Sequence, residues 1–347
     1  MGMAISQHVI AEKLNLSVAT VSRSLQNHPS IHPDTRGRVL ELASKLGYRP
    51  RHIRRGRKQV RKLQSLAAVI HDEREQGRPL SVFAARMLAG ISEAAEALGL
   101  PLLVHCLRGG DVDLLGDPAH QPTTLRRGEV SGVILIHQFP PKVVRQIGRQ
   151  VPCVTVVHDD PEQGTDVVSS DAIGAMGQVV SHLHALGHRR IGFVPNSPDF
   201  SWVRDRFAGY VHALAGHRLP LDPAIILNMG SERMEMSAMA DVAARAAGEG
   251  VTAWVCTDDM SAIGFSRELR SRGLRIPEDV SVTGYDAIQT NPEPGCRLTT
   301  VCVPFEEMGA AAVRRLVHRI RQPSEAIQHV LVNCRLIEGE TSGPVRR

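Results

Sequence analysis

LSVATVSRSLQNHP, residues 16–29, carries a helix signal marked at both ends as well as in its middle. Ser17 is a natural N-cap, Val21 and Leu25 fall four residues apart on one face, and Asn27-His28-Pro29 breaks the pattern. Upstream, Ile10, Ala11 and Leu14 form another apolar face, and Asn15-Leu16 is the turn between the two helices. Downstream, Pro33 stands at a first helical position, Val39, Leu42, Ala43 and Leu46 recur at helical spacing, and Gly47 supplies a stop. Three short helices over residues 6–47, with a tight turn between the first two, make the helix-turn-helix pattern.

The second helix also has an outer face, and its chemistry fits DNA. Ser17 can offer its hydroxyl, and the first turn its free N–H groups, to a phosphate. Val18 and Ala19 are small and apolar, which suits thymine methyl groups, while Arg23 suits bidentate pairing with guanine. Thr20 and Ser22 complete the polar part of this face. The alternative is an ordinary capped surface helix, and the charge of the neighbourhood weighs against it. Residues 1–64 carry 13 Lys and Arg against Glu12, Asp34 and Glu41, a net charge of +10, whereas the remaining residues carry 28 against 33, a net charge of −5. A small basic head on a slightly acidic body points to a polyanionic partner for the head alone.

At 347 residues the chain exceeds one ordinary core, and roughly 100–200 residues per domain predicts two or three domains. From about Leu66 short apolar runs alternate with amphipathic helical stretches. SLAAVI (65–70), PLLVHC (101–106), GVILIH (132–137), PCVTVV (152–157), RIGFV (190–194), AWVC (253–256) and VSVTGY (280–285) are expected as buried strands. FAARMLAGISEAAEAL (83–98), AIGAMGQVVSHLHAL (172–186) and MSAIGFSRELRSRG (260–273) are expected as helices. Continuous apolar strands separated by helices mean an α/β fold with parallel sheets covered on both faces. About nine or ten such units suit two similar lobes better than one open sheet.

Ligands of open α/β sheets bind beyond the carboxyl ends of the strands. The residues there are His71-Asp72, His158-Asp159, Pro195-Asn196, Thr257-Asp258-Asp259 and Asp286, which implies a polar effector between the lobes. HLHALGH (182–188) places His184 and His188 four residues apart, but no third ligand follows and Gly187 ends the helix, so no metal is expected. Adjacent acids at Asp258-Asp259 point in different directions, and with no nucleophile motif and no phosphate loop neither a catalytic constellation nor a cofactor is expected. Six cysteines without a CxxC pair fit reduced, buried thiols. MGMAISQHVIAEKL lacks the continuous apolar core of a signal peptide, and no run of about 18 apolar residues exists to span a bilayer. The expectation is a soluble cytoplasmic protein without a membrane partner. Two other classes stay open on the residues alone: a ligand receptor or carrier, which would not need the basic head, and an α/β enzyme with a basic appendage.

IAEKLNLSVATVSRSLQNHPSIHPDTRGRVLELASKLGYRP (10–50) resembles the DNA-binding head of the lactose and galactose repressor family of bacterial transcription regulators. The resemblance continues in order through LGHRRIGFV (186–194), RDRFAGY (204–210), TDDMSAIG (257–264), IPEDVSVTGYDAI (276–288) and LTTVCVPFEEMGAAAV (298–313). It implies a homodimeric repressor of double-stranded operator DNA with a helix-turn-helix domain at 1–50, a hinge at 51–64 and a sensor at 65–347. That sensor would be two-lobed, like periplasmic sugar-binding proteins, with its lobes joined by three crossings. Lobe 1 is expected at about 65–170 and 303–329, lobe 2 at about 171–302 and 330–347. The family's effectors are sugars first, nucleosides or nucleobases next. Arg206 matches its ligand-gripping arginine and Asp286 the carboxylate partner, and a fork facing a carboxylate can each make two directed bonds to vicinal hydroxyls. The two would otherwise pair with each other. Phe83 matches an aromatic-rich first helix start, Trp202 is expected either to stack on a ring or to pack, and Asp159 completes the expected effector set. Asp258 departs from the pattern, which has asparagine there, and a carboxylate that only accepts favours hydroxyl or amine donors. The tail ETSGPVRR has no apolar heptad, so no C-terminal coiled-coil tetramer is expected.

The resemblance is weakest at YRPRHIRRGRKQVRKL, residues 48–63, with eight Lys or Arg and no acid. The family hinge carries a leucine seven residues after its proline, a wedge between base pairs in the minor groove. Here Arg57 stands in that place, with Gly56 before it. Glycine costs a helix about 1 kcal/mol relative to alanine, and arginine is no apolar wedge. The expectation is a hinge held by Arg54 and Arg57 in a narrow minor groove and by phosphates, kinking DNA less than its relatives do. The alternative is a solvated linker. Arg57→Leu should increase the DNA bend and reduce the steepness of the salt dependence; an unchanged bend, read from the mobility of circularly permuted duplexes, would mean that the hinge stays out of the groove.

Overall fold

Helix caps and a shared apolar face set the head. α1 (Gln7–Leu14) ends on Asn15, whose φ of 53° is the left-handed conformation that asparagine tolerates at a helix stop. α2 (Val18–Leu25) begins on Ser17, whose Oγ accepts the Thr20 N–H at 3.0 Å. α3 (Pro33–Lys45) starts on its proline. Ile10, Ala11, Val21, Val39 and Ala43 are buried where the three helices meet. The computed structural model describes residues 6–25, 31–46, 63–72, 80–157, 160, 162–230, 233–288 and 296–346, in two units, Met1–Val60 and Arg61–Arg347. Asn27-His28-Pro29, Gly47, the hinge arginines Arg54 and Arg57, and Asp159 lie outside the described residues.

In the second unit strand and helix alternate. β1 (Leu66–Asp72), α4 (Val82–Ala97), β2 (Leu102–Arg108), the short α5 (Asp111–Leu114) and α6 (Thr123–Arg126), β3 (Gly132–Ile136), α7 (Pro141–Gln150), β4 (Cys153–Val156) and β5 (Asp166–Ser170) build most of one sheet. The chain then crosses at Asp171 into α8 (Ala172–Ala185), β6 (Ile191–Val194), α9 (Ser201–Gly216), α10 (Met236–Gly248), β7 (Ala253–Cys256), α11 (Asp259–Ser271), β8 (Ser281–Asp286) and β9 (Thr299–Cys302). It returns through Val303-Pro304 to α12 (Phe305–Arg321) and β10 (His329–Val332), and crosses again at Asn333-Cys334 into β11 (Arg335–Ile337). The first sheet has the order β10-β5-β4-β3-β1-β2 and is parallel throughout. The second has the order β11-β9-β8-β7-β6, with β11 antiparallel. Every residue of β3, β4, β6 and β7 is buried, as helices on both faces of a parallel sheet require.

Two sequence expectations are corrected here. Residues from 330 on were assigned to lobe 2, but β10 pairs with β5 from His329 opposite Val167 to Val332 opposite Ser170, so the tail leaves the first sheet only after Val332. All six thiols are expected to be buried; Cys153, Cys256 and Cys334 are, but Cys296 and Cys302 are half-buried and Cys106, on the edge strand β2, is exposed.

Two ties fix these lobes. His188 is buried against the tail, with Nδ1 bonded to Thr252 Oγ1 at 2.8 Å and Nε2 to the Gly343 carbonyl at 3.1 Å, and burial pulls its pKa down to about 4. In the first lobe α4 and α12 touch backbone to backbone. A Cβ on Gly90 would stand 1.9 Å from the Glu306 carbonyl oxygen, and one on Gly309 would stand 2.3 Å from that of Met87. Beside them Arg86 donates from Nε and Nη2 to the two oxygens of Glu306 at 2.7 and 2.9 Å. Helix propensity alone would make Gly309→Ala stabilising by about 1 kcal/mol. Neither backbone can yield as a side chain would, so overpacking, about 1–3 kcal/mol, should win and lower the urea midpoint. A neutral or raised midpoint would show that the helices do not meet this closely.

Candidate functional site

The carboxyl ends of both sheets open on one cavity of about 600 Å³. From the first lobe it is lined by Ser81, Val82 and Phe83 at the start of α4, by His137 and Val157 just past β3 and β4, and by Phe305. The second lobe contributes Asn196 after β6, Phe200, Trp202 and Arg206 around the start of α9, Asp258, Asp259 and Met260 at α11, and Asp286 and Ile288 after β8. Three of these strand-end residues have left-handed backbones: His137 at φ 78°, Val157 at 75° and Asp286 at 102°. Such conformations are unfavourable for side chains with a Cβ, most of all for a β-branched valine, and they persist where the surroundings enforce them.

Trp202 and Arg206 are one helical turn apart and share a face of α9. Arg206 is only 6% exposed. Its Nη2 donates to Asp286 Oδ1 at 2.8 Å and its Nη1 donates to the Thr257 carbonyl. It also lies 3.7 Å from the Tyr285 ring centroid and 4.6 Å from that of Trp202. The pairing of Arg206 with Asp286 is thus realised. Burial would weaken the hold of Arg206 on its proton, but Asp286, Tyr285 and Asp258 raise its pKa above the ordinary value. Burial also pushes the Asp286 carboxyl up, with Arg206 opposing and the charge of Asp258 adding to the rise.

Asp258 and Asp259 do different work, as adjacent residues at a helix start must. Asp258 caps α11: Oδ1 accepts the Ser261 N–H at 2.8 Å and Oδ2 accepts its hydroxyl at 2.7 Å. Asp259 is 2% exposed and joins two segments, accepting the Ile288 N–H at 2.7 Å and the Thr300 hydroxyl at 2.5 Å. Trp202 stacks on Phe200, with centroids 5.4 Å apart and planes at 14°, so its ring packs within the protein as well as lining the cleft. From there rings follow one another through Phe200, His137, Phe83 and Phe305 at 5.5–6.1 Å.

Phe83, Trp202, Arg206, Asp258 and Asp286 are therefore brought together at one cavity. His137, Phe200 and Phe305 were not singled out. His137 reads as the last residue of an apolar strand, and the available signal for Phe305 was an aromatic residue directly after Pro304 at a helix start. In the head, Ser17, Ala19 and Arg23 are exposed, Thr20 and Ser22 are half-buried, and the Ser17 and Thr20 hydroxyls lie 2.8 Å apart. Val18, expected on the outer face, is half-buried and packs in part against the head's core. Among the described residues there is no group of three or more His, Cys, Asp or Glu able to hold a metal, and no helix is long and apolar enough to cross a membrane.

Residues 8–51 match the family model for bacterial regulatory proteins of the lacI family, and residues 180–342 match that for a periplasmic binding protein-like domain. The HTH-type transcriptional regulator reg1 of Streptomyces lividans is 30% identical over 348 residues, 96% of this chain and 95% of the relative. The ribose operon repressor of Haemophilus influenzae is 26% identical over 91% of this chain and 92% of its own length. Among solved structures, a complex of the transcriptional regulator CelR with cellobiose superposes with a TM-score of 0.66 at 26% identity, covering 97% of this chain and 99% of the other.

Proposed function

The chain belongs to the lacI family of bacterial regulatory proteins, a family of transcription regulators rather than enzymes, and we propose that it is a cytoplasmic, homodimeric repressor controlled by a small polar effector held in the cleft. The observation that carries the effector reading is the Arg206–Asp286 pair, buried at the meeting of strand ends and lining a cavity of about 600 Å³, within the usual size of small-molecule sites. A sugar suits it: Arg206 keeps donor capacity for a ring hydroxyl, and Asp286 has acceptor sites left after its bond to the arginine. Phe83 and Trp202 give apolar area, and Asp258 accepts from a further hydroxyl. The Haemophilus relative named for a ribose operon and the cellobiose-bound structure support a sugar over a nucleoside as the first class to try.

For the head, we assign Ser17, Thr20 and Ser22 to phosphates, and Ala19 and Arg23 to base edges of double-stranded operator DNA, with Val18 setting the helix on its core as much as meeting a base. Arg54 and Arg57 would add minor-groove and phosphate contacts. An effector that prefers one lobe orientation changes the spacing of the two heads in the dimer, and that preference is the source of control.

A thermal-shift screen of the full chain against sugars and nucleosides tests the assignment of the cleft. A ligand at about 100 times its Kd should stabilise the fold by about 2.7 kcal/mol. Arg206→Lys keeps the charge but loses the planar fork, and should abolish most of that shift. If no ligand shifts the wild type, or the variant responds equally, the cleft is not the effector site.

A further inference from the structure

The space between the lobes does not end at Phe200. A second cavity of about 520 Å³ lies past the ends of β1 and β3, by α5 and the start of α7, and Phe200 lines it as well as the first. A ring from each lobe stands at the boundary, since His137 meets Phe200 at 5.8 Å with planes at 65°. From His137 the rings run on to His71 at 5.8 Å and from His71 to Phe139 at 5.9 Å, and these last two line the second cavity. Each cavity falls within the range of about 300–1,000 Å³ usual for one small-molecule site, and the two together exceed it.

The second cavity sets donors beside acceptors, as a hydroxyl that both donates and accepts requires. Arg204 gives Nη1 to the carbonyls of Pro198 and Asp199 at 3.3 and 3.1 Å, which steadies the loop before Phe200 and leaves Nε and Nη2 as donors. Asp113, exposed on α5, can only accept when ionised. The Gln138 carbonyl bonds to His71 Nδ1 at 2.6 Å, but its side-chain oxygen is buried and accepts no hydrogen bond from the described residues. A buried acceptor without a donor is unfavourable, so that amide gains from any group that can donate to it. Pro140 and Pro141 add apolar surface beside the Phe139 and Phe200 rings. Apolar faces with a few directed polar groups are the pattern of a small-molecule site.

We infer that the effector is an oligosaccharide of at least two units, with one ring held by Arg206 and Asp286 and the next lying beyond Phe200, where it meets Asp113, Gln138 and Arg204. This rests on the reading of the cleft as the effector site. A monosaccharide reaches only the first set of groups; a disaccharide reaches both. The second ring touches Asp113 and Gln138 on one lobe and Phe200 and Arg204 on the other, so it adds to the ligand's preference for one arrangement of the lobes.

Isothermal titration calorimetry of the full chain tests it with cellobiose, maltose, lactose, cellotriose and maltotriose, each run beside its component monosaccharides, glucose and galactose. At least one oligosaccharide should bind about tenfold tighter than its better monosaccharide, with one molecule per subunit. Asp113→Trp fills the second cavity and should remove most of that ratio. Gln138→Leu replaces the amide with an apolar side chain of similar size and should lower it. The thermal midpoint of each variant without sugar reports whether it is folded. If no oligosaccharide binds more tightly than its monosaccharides, if the ratio survives either folded variant, or if two molecules bind per subunit, the inference is overturned. A monosaccharide that binds through Arg206 and gains nothing from a second unit would overturn this inference and leave the cleft as the effector site. An oligosaccharide whose affinity ignores Arg206→Lys would instead remove the cleft itself.

Discussion

One buried guanidinium holds the cleft together. Arg206 reaches from α9 to the Thr257 carbonyl after β7 and to the Asp286 carboxylate at the end of β8, and it lies against the rings of Trp202 and Tyr285. Taking a cation out of water is costly unless every donor finds a partner. Removing one partner of such a pair typically costs about 3–5 kcal/mol, because the other charge is left buried and alone. The same pair therefore sets a threshold for ligands. A molecule that draws on Asp286 or Arg206 must return bonds as good as those it disturbs, which favours groups that donate and accept in a fixed geometry over loosely polar ones.

The wiring of the sheets brings that contact to the cavity. All strands of the first sheet, and all but β11 of the second, run parallel, so their carboxyl ends face the cavity and their polar, strained ends gather there. Three short crossings join the lobes, and two of them are tied to each other where the Asp171 N–H donates to the Val332 carbonyl at 2.9 Å. The first-lobe wall is stiff, since α4 and α12 meet through Gly90 and Gly309 and carry Phe83 and Phe305 to the cavity at their starts. A ligand with contacts on both walls acts on the angle between the lobes in proportion to its difference in affinity for the two arrangements.

Much of this was legible from the residues because its causes are local. The cap at Ser17, the first-turn Pro33, the turn at Asn15-Leu16 and continuous apolar strands each depend on a few neighbouring residues, and the structure has helices and strands where they predict them. Asp286 was legible as a strand end and through the family resemblance, whereas Arg206, inside α9, was marked by the resemblance alone. What escaped was set by distant partners. β5, DVVSS, begins with an aspartate and ends with two serines, which reads as a loop. Asp166 is nevertheless 1% exposed, since Arg315 and Arg319 of α12 and the Gln328 N–H bond to it, and they hold its carboxyl below the ordinary range although burial alone would raise it. β10 and β11 are edge strands with alternating or half-exposed residues, so no continuous apolar run announces them. The succession of rings from Trp202 to Phe305 needs both lobes in place, and no stretch of sequence contains it.

We propose that occupancy of the cleft is coupled to the grip of the head on DNA. The direct measurement is the affinity of the full chain for a duplex selected from random sequence, read by fluorescence anisotropy at fixed salt, with and without a saturating ligand of the cleft. Coupling of the size usual for allosteric proteins, about 1–3 kcal/mol, predicts a change of roughly 5- to 150-fold in the wild type and little change in Arg206→Lys. A ligand that fills the cleft by calorimetry yet leaves the duplex affinity unaltered would show that the cleft and the head are uncoupled.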